Sequence, residues 1–106
     1  MELAAVLDEA VTRIVAQCHP EKIILFGSRA RGPGGAASDL DLMVVTAGRE
    51  SKRQQTVALY RALRDLGVPK DIVVIRPEEF ERTRDLVGTL VYPAVREGRV
   101  LYDCAA

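Results

Sequence analysis

The amino-acid sequence predicts an α/β fold in which helices cover one small sheet of about four strands. Short β-branched apolar runs alternate along the chain with segments whose apolar residues recur at helical spacing. The chain has 106 residues, of which 48% are hydrophobic and 28% charged, as is ordinary for a globular domain. We therefore expect a single domain over residues 1–106.

The first half of the chain is expected to run helix, strand, glycine-rich segment and strand. Apolar residues at helical spacing over about residues 2–18 predict an amphipathic helix that ends before Pro20. The run KIILF (22–26) predicts the first strand, and DLDLMVVT (39–46) predicts the second. Between them, residues 27–32 are expected to form a short turn or helix, and PGGAAS (33–38) predicts a flexible turn or loop.

The middle of the chain predicts one helix and one strand. Ser51 is a suitable N-cap for a helix that reaches Leu66, and Gly67 is a suitable C-cap. The run KDIVVI (70–75) predicts the third strand.

The last part of the chain predicts helices followed by a closing strand. Pro77 suits the first turn of a short helix. A further helix is expected over residues 86–97, where Pro93 indicates either a kink or a later start. The run RVLYD (99–103) predicts the final strand.

Composition excludes several classes of protein. Lys and Arg together number 15, as do Asp and Glu together, so the formal net charge is zero. This balance argues against a protein that binds double-stranded nucleic acid or anionic lipid. No apolar run approaches the ~20 residues of a membrane span, and the N-terminus lacks a signal-peptide pattern, so we expect a cytoplasmic protein. Cys18 and Cys104 lack metal-ligand spacing, and His19 as the one histidine argues against a catalytic triad.

Three carboxylates occur in predicted strands, where Asp is disfavoured. Asp39 and Asp41 are two residues apart, so in a strand both side chains point to the same face, and Asp71 lies one residue into another strand. If the second and third strands are neighbours, the three side chains converge at one sheet edge. They would then repel one another unless cations lie among them, and such oxygen ligands suit Mg²⁺ or Mn²⁺. Two such ions form the usual clamp for nucleotidyl transfer.

The first strand leads into Gly27 and Ser28, a strand end that suits a phosphate. Arg29 and Arg31 could add positive charge for a triphosphate, and a Walker motif is excluded because Pro33 stands where Lys is required. Taken separately, Asp-x-Asp is usually a solvated strand end, Gly-Ser says little, and the arginines would be surface charges. The combination is more specific than its parts.

The segment GSRARGPGGAASDLDL resembles the signature of the DNA polymerase β-like nucleotidyltransferases. Its Gly-Ser, ten-residue gap and Asp-x-Asp match the form found in the minimal nucleotidyltransferases, or MNT proteins. KDIVVI resembles the family's third-carboxylate strand, and REGRVLYD resembles its usual ending. The resemblance covers nearly the whole chain and implies the mixed-sheet fold of that superfamily.

The resemblance also implies roles for individual residues. By this resemblance, the triphosphate would bind to Gly27 and Ser28, and Arg29 and Arg31 would be supporting phosphate contacts. The catalytic and metal-binding positions are Asp39, Asp41 and Asp71. Asp71 would also help to deprotonate the acceptor hydroxyl.

The activity so implied is transfer of AMP from ATP to a hydroxyl, with two Mg²⁺ ions (or Mn²⁺). The MNT resemblance further implies an antitoxin that adenylylates a tyrosine of a HEPN toxin and so silences its RNase activity. Because the catalytic fold nearly fills 106 residues, we expect the acceptor surface to come from this partner or from a homo-oligomer. No membrane or direct nucleic-acid binding is expected.

Two alternatives stay open at this point. One is an inactive nucleotidyltransferase fold that neutralises a partner by binding alone. The other is the catalytic subunit of a split small-molecule nucleotidyltransferase.

Overall fold

The computed structural model describes residues 2–27 and 39–106, and the elements there follow the predicted order. The helices are α1 (Leu3–Cys18), α2 (Lys52–Ala62), α3 (Pro77–Thr83) and α4 (Val91–Glu97). The strands are β1 (Lys22–Phe26), β2 (Leu40–Val45), β3 (Lys70–Ile75) and β4 (Arg99–Asp103). They form one mixed sheet of order β3-β2-β1-β4, in which β3 is parallel to β2 and the other pairs are antiparallel. The predicted fold class is confirmed.

Helix α2 begins where its cap predicts and ends earlier than predicted. The Ser51 hydroxyl accepts from the backbone N–H of Gln54, whose side chain accepts in return from the Ser51 N–H. The α-helix ends at Ala62, and Arg64–Leu66 form a 3₁₀ turn before Gly67 at φ +73°. The prediction of a helix to Leu66 was therefore wrong in its last turn, because helices commonly tighten where their final carbonyls lack partners.

The predicted helix over 86–97 begins only at Val91, so of the two readings of Pro93 the later start is correct. Pro93 occupies the third position of α4, where its missing N–H needs no intrahelical partner. The turn before it passes through Gly88 at φ +95°, and the Thr89 hydroxyl accepts from the Tyr92 N–H at 3.3 Å.

The sheet buries a core on each face, and β2 contributes to both. On one face, Leu42 and Val44 pack in a cluster with residues of α1 and α2 such as Ile14 and Leu59. On the other face, Met43 packs in a second cluster with residues of α3 and α4. This alternation places Asp41, two residues before Met43, on the face of α3 and α4.

Arg13 joins α1 to the end of α2. Its guanidinium donates to the Ala62 carbonyl at 3.0 Å and also pairs with Asp65 and Glu9. The bond from Arg13 lowers the pKa of the Asp65 carboxyl. In residues 2–27 and 39–106, we find no helix both long enough and apolar enough to cross a membrane.

Candidate active site

Two of the predicted carboxylates lie side by side on neighbouring strands. The parallel register of β2 and β3 pairs Asp41 with Asp71. Register partners in adjacent strands are ~4.8 Å apart and point to the same face, so the two carboxylates are direct neighbours. Asp39 lies one residue before β2 and is exposed, as is Asp71, whereas Asp41 is half-buried. The expectation that the second and third strands are adjacent is thus confirmed.

The surroundings of Asp41 disfavour the ionised form of its carboxyl. Partial burial raises the pKa of the Asp41 carboxyl above its ordinary value of 3.8, and the charges of Asp71 and Asp39 raise it further. Within the part of the chain that the structure describes, no Lys or Arg forms an ion pair with any of the three. Lys70 is adjacent to Asp71 in sequence, but strand alternation sends its side chain to the opposite face. Among residues 2–27 and 39–106, the three carboxylates therefore have no cationic side chain as an ion-pair partner.

This donor set fits a hard divalent cation. The ligands on offer are carboxylate oxygens, which Mg²⁺ and Mn²⁺ prefer, and their mutual repulsion is the condition that such an ion relieves. Among the described residues, however, no three Asp, Glu, His or Cys side chains are already placed to hold one metal ion. The structure thus brings Asp41 and Asp71 together but does not present a finished three-carboxylate cage.

Gly27 is the glycine that the site requires. Its φ is +76°, a left-handed conformation that side chains rarely adopt, and a Cβ built there would lie 2.2 Å from Oδ2 of Asp41. The end of β1 therefore packs directly against the Asp41 carboxylate. The predicted phosphate ligands Ser28, Arg29 and Arg31 lie outside the described residues.

A hydrogen-bonded network supports the opposite end of β2 and β3, and our sequence reasoning missed it. Arg76, directly after β3, donates to the Thr46 carbonyl at 2.9 Å, the Gln55 side chain at 2.5 Å and the Glu50 carbonyl at 2.7 Å. Gln55 in turn donates to the Ala47 carbonyl at 3.0 Å. The sequence did hold one signal of this network. Gln55 lies four residues before the buried Leu59, so a polar side chain occupies the apolar face of α2 and needs a hydrogen-bond partner there.

The fold is similar to chains in solved toxin–antitoxin structures. One is the tri-AMPylated Shewanella oneidensis HEPN toxin in complex with MNT antitoxin, with a TM-score of 0.55 and 16% identity over 96% of this chain and 73% of that chain. Two others are mutants of the toxin–antitoxin MntA-HpeT, both with TM-scores of 0.52 and 19% identity. They cover 88% and 91% of this chain and 70% and 72% of theirs.

At these identities the structural likeness establishes a shared fold. No curated protein gives a significant match. The family follows from the sequence, because residues 7–100, which contain both Asp-bearing strands, match the nucleotidyltransferase domain. Since that match spans most of the 106 residues, the chain belongs to the nucleotidyltransferase domain family.

Proposed function

We propose that this protein transfers AMP from ATP to a hydroxyl group of a partner protein, with a tyrosine of a HEPN toxin as the acceptor. The observation that carries the proposal is the Asp41–Asp71 pair on adjacent strands of a nucleotidyltransferase domain, with no basic side chain of the described residues paired to it. Carboxylates so arranged need cations, and a nucleoside triphosphate bound with Mg²⁺ supplies them.

Each residue of the proposed site has a role. Asp39, Asp41 and Asp71 would hold two Mg²⁺ ions, which when bound stabilise negative charge on the attacking and leaving oxygens. Asp71 lies on the edge strand β3 and is exposed, which suits it to accept the proton of the acceptor hydroxyl. The proposed triphosphate contacts are Gly27 and Ser28, supported by Arg29 and Arg31.

The proposal of a protein acceptor is supported by the structural neighbours. They are toxin–antitoxin complexes, and one contains a HEPN toxin that is tri-AMPylated. Each spans at least 88% of the present chain.

Label transfer tests the reaction. The protein, a HEPN protein encoded beside it and Mg²⁺ would be incubated with ATP labelled at the α-phosphate. We expect label on the HEPN protein, mapped to tyrosine by mass spectrometry, and loss of label in the Asp39→Asn, Asp41→Asn double variant. Asp8→Asn, an exposed carboxylate on α1, is the matched control and should keep full transfer. Label that persists in the double variant would overturn the proposal.

Nucleotide binding gives a readout that needs no partner. Calorimetry with α,β-methylene-ATP and Mg²⁺ should detect binding to the wild-type protein and loss of binding in the double variant. Binding without any transfer, together with neutralisation of the partner by the double variant, would favour the alternative of a binding module.

A further inference from the structure

A groove of about 400 Å³ lies outside the carboxylate site, beside the outer edge of the sheet. It is lined by Val57, Tyr60 and Arg61 of α2, Arg64 of the following turn and Lys70 at the start of β3. None of these residues takes part in the proposed transfer reaction. The groove therefore needs a separate explanation.

The apolar wall of the groove is exposed and held in place. Val57 and Tyr60 have 44% and 38% of their surface exposed, respectively, which is high for large hydrophobic residues. The Tyr60 hydroxyl accepts the backbone N–H of Ile72 at 3.0 Å, so the ring is fixed against β3. Because this bond satisfies an outward N–H of the edge strand, an occupant binds here through its side chains rather than as an added strand.

The rim of the groove carries three cationic side chains, of which Arg64 interacts with a carboxylate, that of Asp65, through charge alone. Among residues 2–27 and 39–106, no carboxylate forms an ion pair with Arg61, Arg64 or Lys70. Asp65 is adjacent to Arg64 in sequence, but it is paired with Arg13. In a chain with zero net charge, this is a local positive patch around an apolar surface.

We propose that this groove docks an acidic segment of a partner protein, in which Asp or Glu residues flank one large apolar side chain. The apolar side chain would pack on Val57 and Tyr60, and the carboxylates would meet the rim cations. A nucleic acid fits less well, because the three rim cations would meet few phosphates. A single strand that stacks a base on Tyr60 is the competing occupant, and the test below includes it. The proposal goes beyond the proposed function, since docking requires no transfer.

Selection from a random library tests the chemistry of the occupant. A phage-displayed library of random 12-residue peptides would be panned on the wild-type protein and, in parallel, on the Arg61→Gln, Arg64→Gln, Lys70→Gln triple variant. We expect the wild-type protein to enrich acidic peptides with a central Leu, Phe or Trp. Synthetic copies should bind the triple variant at least ~10-fold more weakly by fluorescence anisotropy and should lose affinity as salt increases. Val57→Asp should weaken binding similarly, since it removes apolar contact and repels acids.

Matched controls separate this groove from general charge effects and from catalysis. Arg99→Gln removes an exposed cation on β4, at the opposite edge of the sheet, and should leave binding unchanged. The Asp39→Asn, Asp41→Asn variant should also bind the peptides fully, so failure of transfer would not imply failure of docking. Circular dichroism would check that the variants fold. Enrichment of neutral or basic peptides, equal binding to the triple variant, or triple-variant-sensitive binding of a single-stranded oligonucleotide alone would each overturn the proposal.

Discussion

At the scale of single residues, the negative charge of Asp41 opposes folding of the metal-free protein. Burial, Asp71 and Asp39 all raise the pKa of its carboxyl, so its folded-state pKa lies above the value in the unfolded chain. The charged form therefore destabilises the fold at pH values above that folded pKa, and protonation removes the penalty as the pH falls through it. Such a cost is expected of a residue kept for binding a cation.

Asp41→Asn should therefore stabilise the metal-free protein and sharply reduce the proposed AMP transfer. We expect the Tm at neutral pH to rise by no more than a few degrees, since solvent screens the half-buried Asp41, and transfer to fall on the order of 100-fold or more. The gain in Tm should shrink at acidic pH, where wild-type Asp41 is itself neutral. Thermal denaturation in EDTA at several pH values checks this, with Asp8→Asn as the control. A lower Tm for Asp41→Asn would contradict our assignment.

A comparison of Gly27 with Gly67 separates the cost of a positive φ from the cost of a steric clash with Asp41. Both have a similar positive φ, +76° and +73°, but a Cβ at Gly67 meets nothing within 4 Å whereas one at Gly27 meets Asp41. Gly67→Ala should cost about 1–2 kcal/mol of unfolding free energy and leave transfer intact. Gly27→Ala should cost more and also abolish ATP binding, because the Asp41 carboxylate must move. Equal effects of the two substitutions in urea denaturation and ATP titration would argue against this contact.

At the scale of elements, Arg76 fastens the loop after β2 to α2. Its guanidinium bonds to carbonyls of Thr46 and Glu50 and to the buried Gln55 side chain. Removal of the guanidinium leaves the acceptors of the buried Thr46 and Gln55 without this donor, which is costly, whereas the exposed Glu50 carbonyl can turn to water.

Arg76→Leu should lower the free energy of unfolding by about 2–3 kcal/mol. The loss should be smaller when Gln55→Leu is already present, because the two side chains interact directly. Arg82→Leu on α3, an exposed arginine, should change stability by no more than ~0.5 kcal/mol. Chemical denaturation of the wild type, the Arg76→Leu and Gln55→Leu variants and their double variant completes a double-mutant cycle. Additive effects of the two substitutions would count against the network.

Most elements were predictable because their signals are local. Ser51 followed by Gln54 is a capping box that requires no knowledge of the rest of the chain. Asp41 and Asp71 were noticeable because Asp is unusual in apolar strands. The partner of Gln55 and the groove beside β3 were not predictable, because each joins residues that lie far apart in sequence and meet only in the folded sheet.

At the scale of the whole molecule, β2 lies between two cores, and the carboxylate site is built at its start. The strand is hydrogen-bonded on both sides, to β1 and to β3, and its apolar residues are buried on both faces. The carboxylates thus project from a rigid part of the fold, and binding of a cation there should be linked to global stability.

Mg²⁺ should therefore raise the Tm of the wild-type protein. At a free concentration 100 times the Kd, the gain in unfolding free energy is about 2.7 kcal/mol, provided that the unfolded chain does not bind the ion. The Asp39→Asn, Asp41→Asn variant should show no such gain, and K⁺ at matched ionic strength should give none in either protein. A titration of Tm against Mg²⁺ that is equal in both proteins would mean that the ion binds elsewhere.

The parallel pairing of β2 with β3 has a consequence for how the protein matures. Unlike a hairpin, a parallel pair needs a crossover, and here the crossover is the segment that contains α2. Such non-local closure is among the slower steps of folding, and on the ribosome it must wait until β3 has been synthesised. A newly made chain therefore gains its paired carboxylates late.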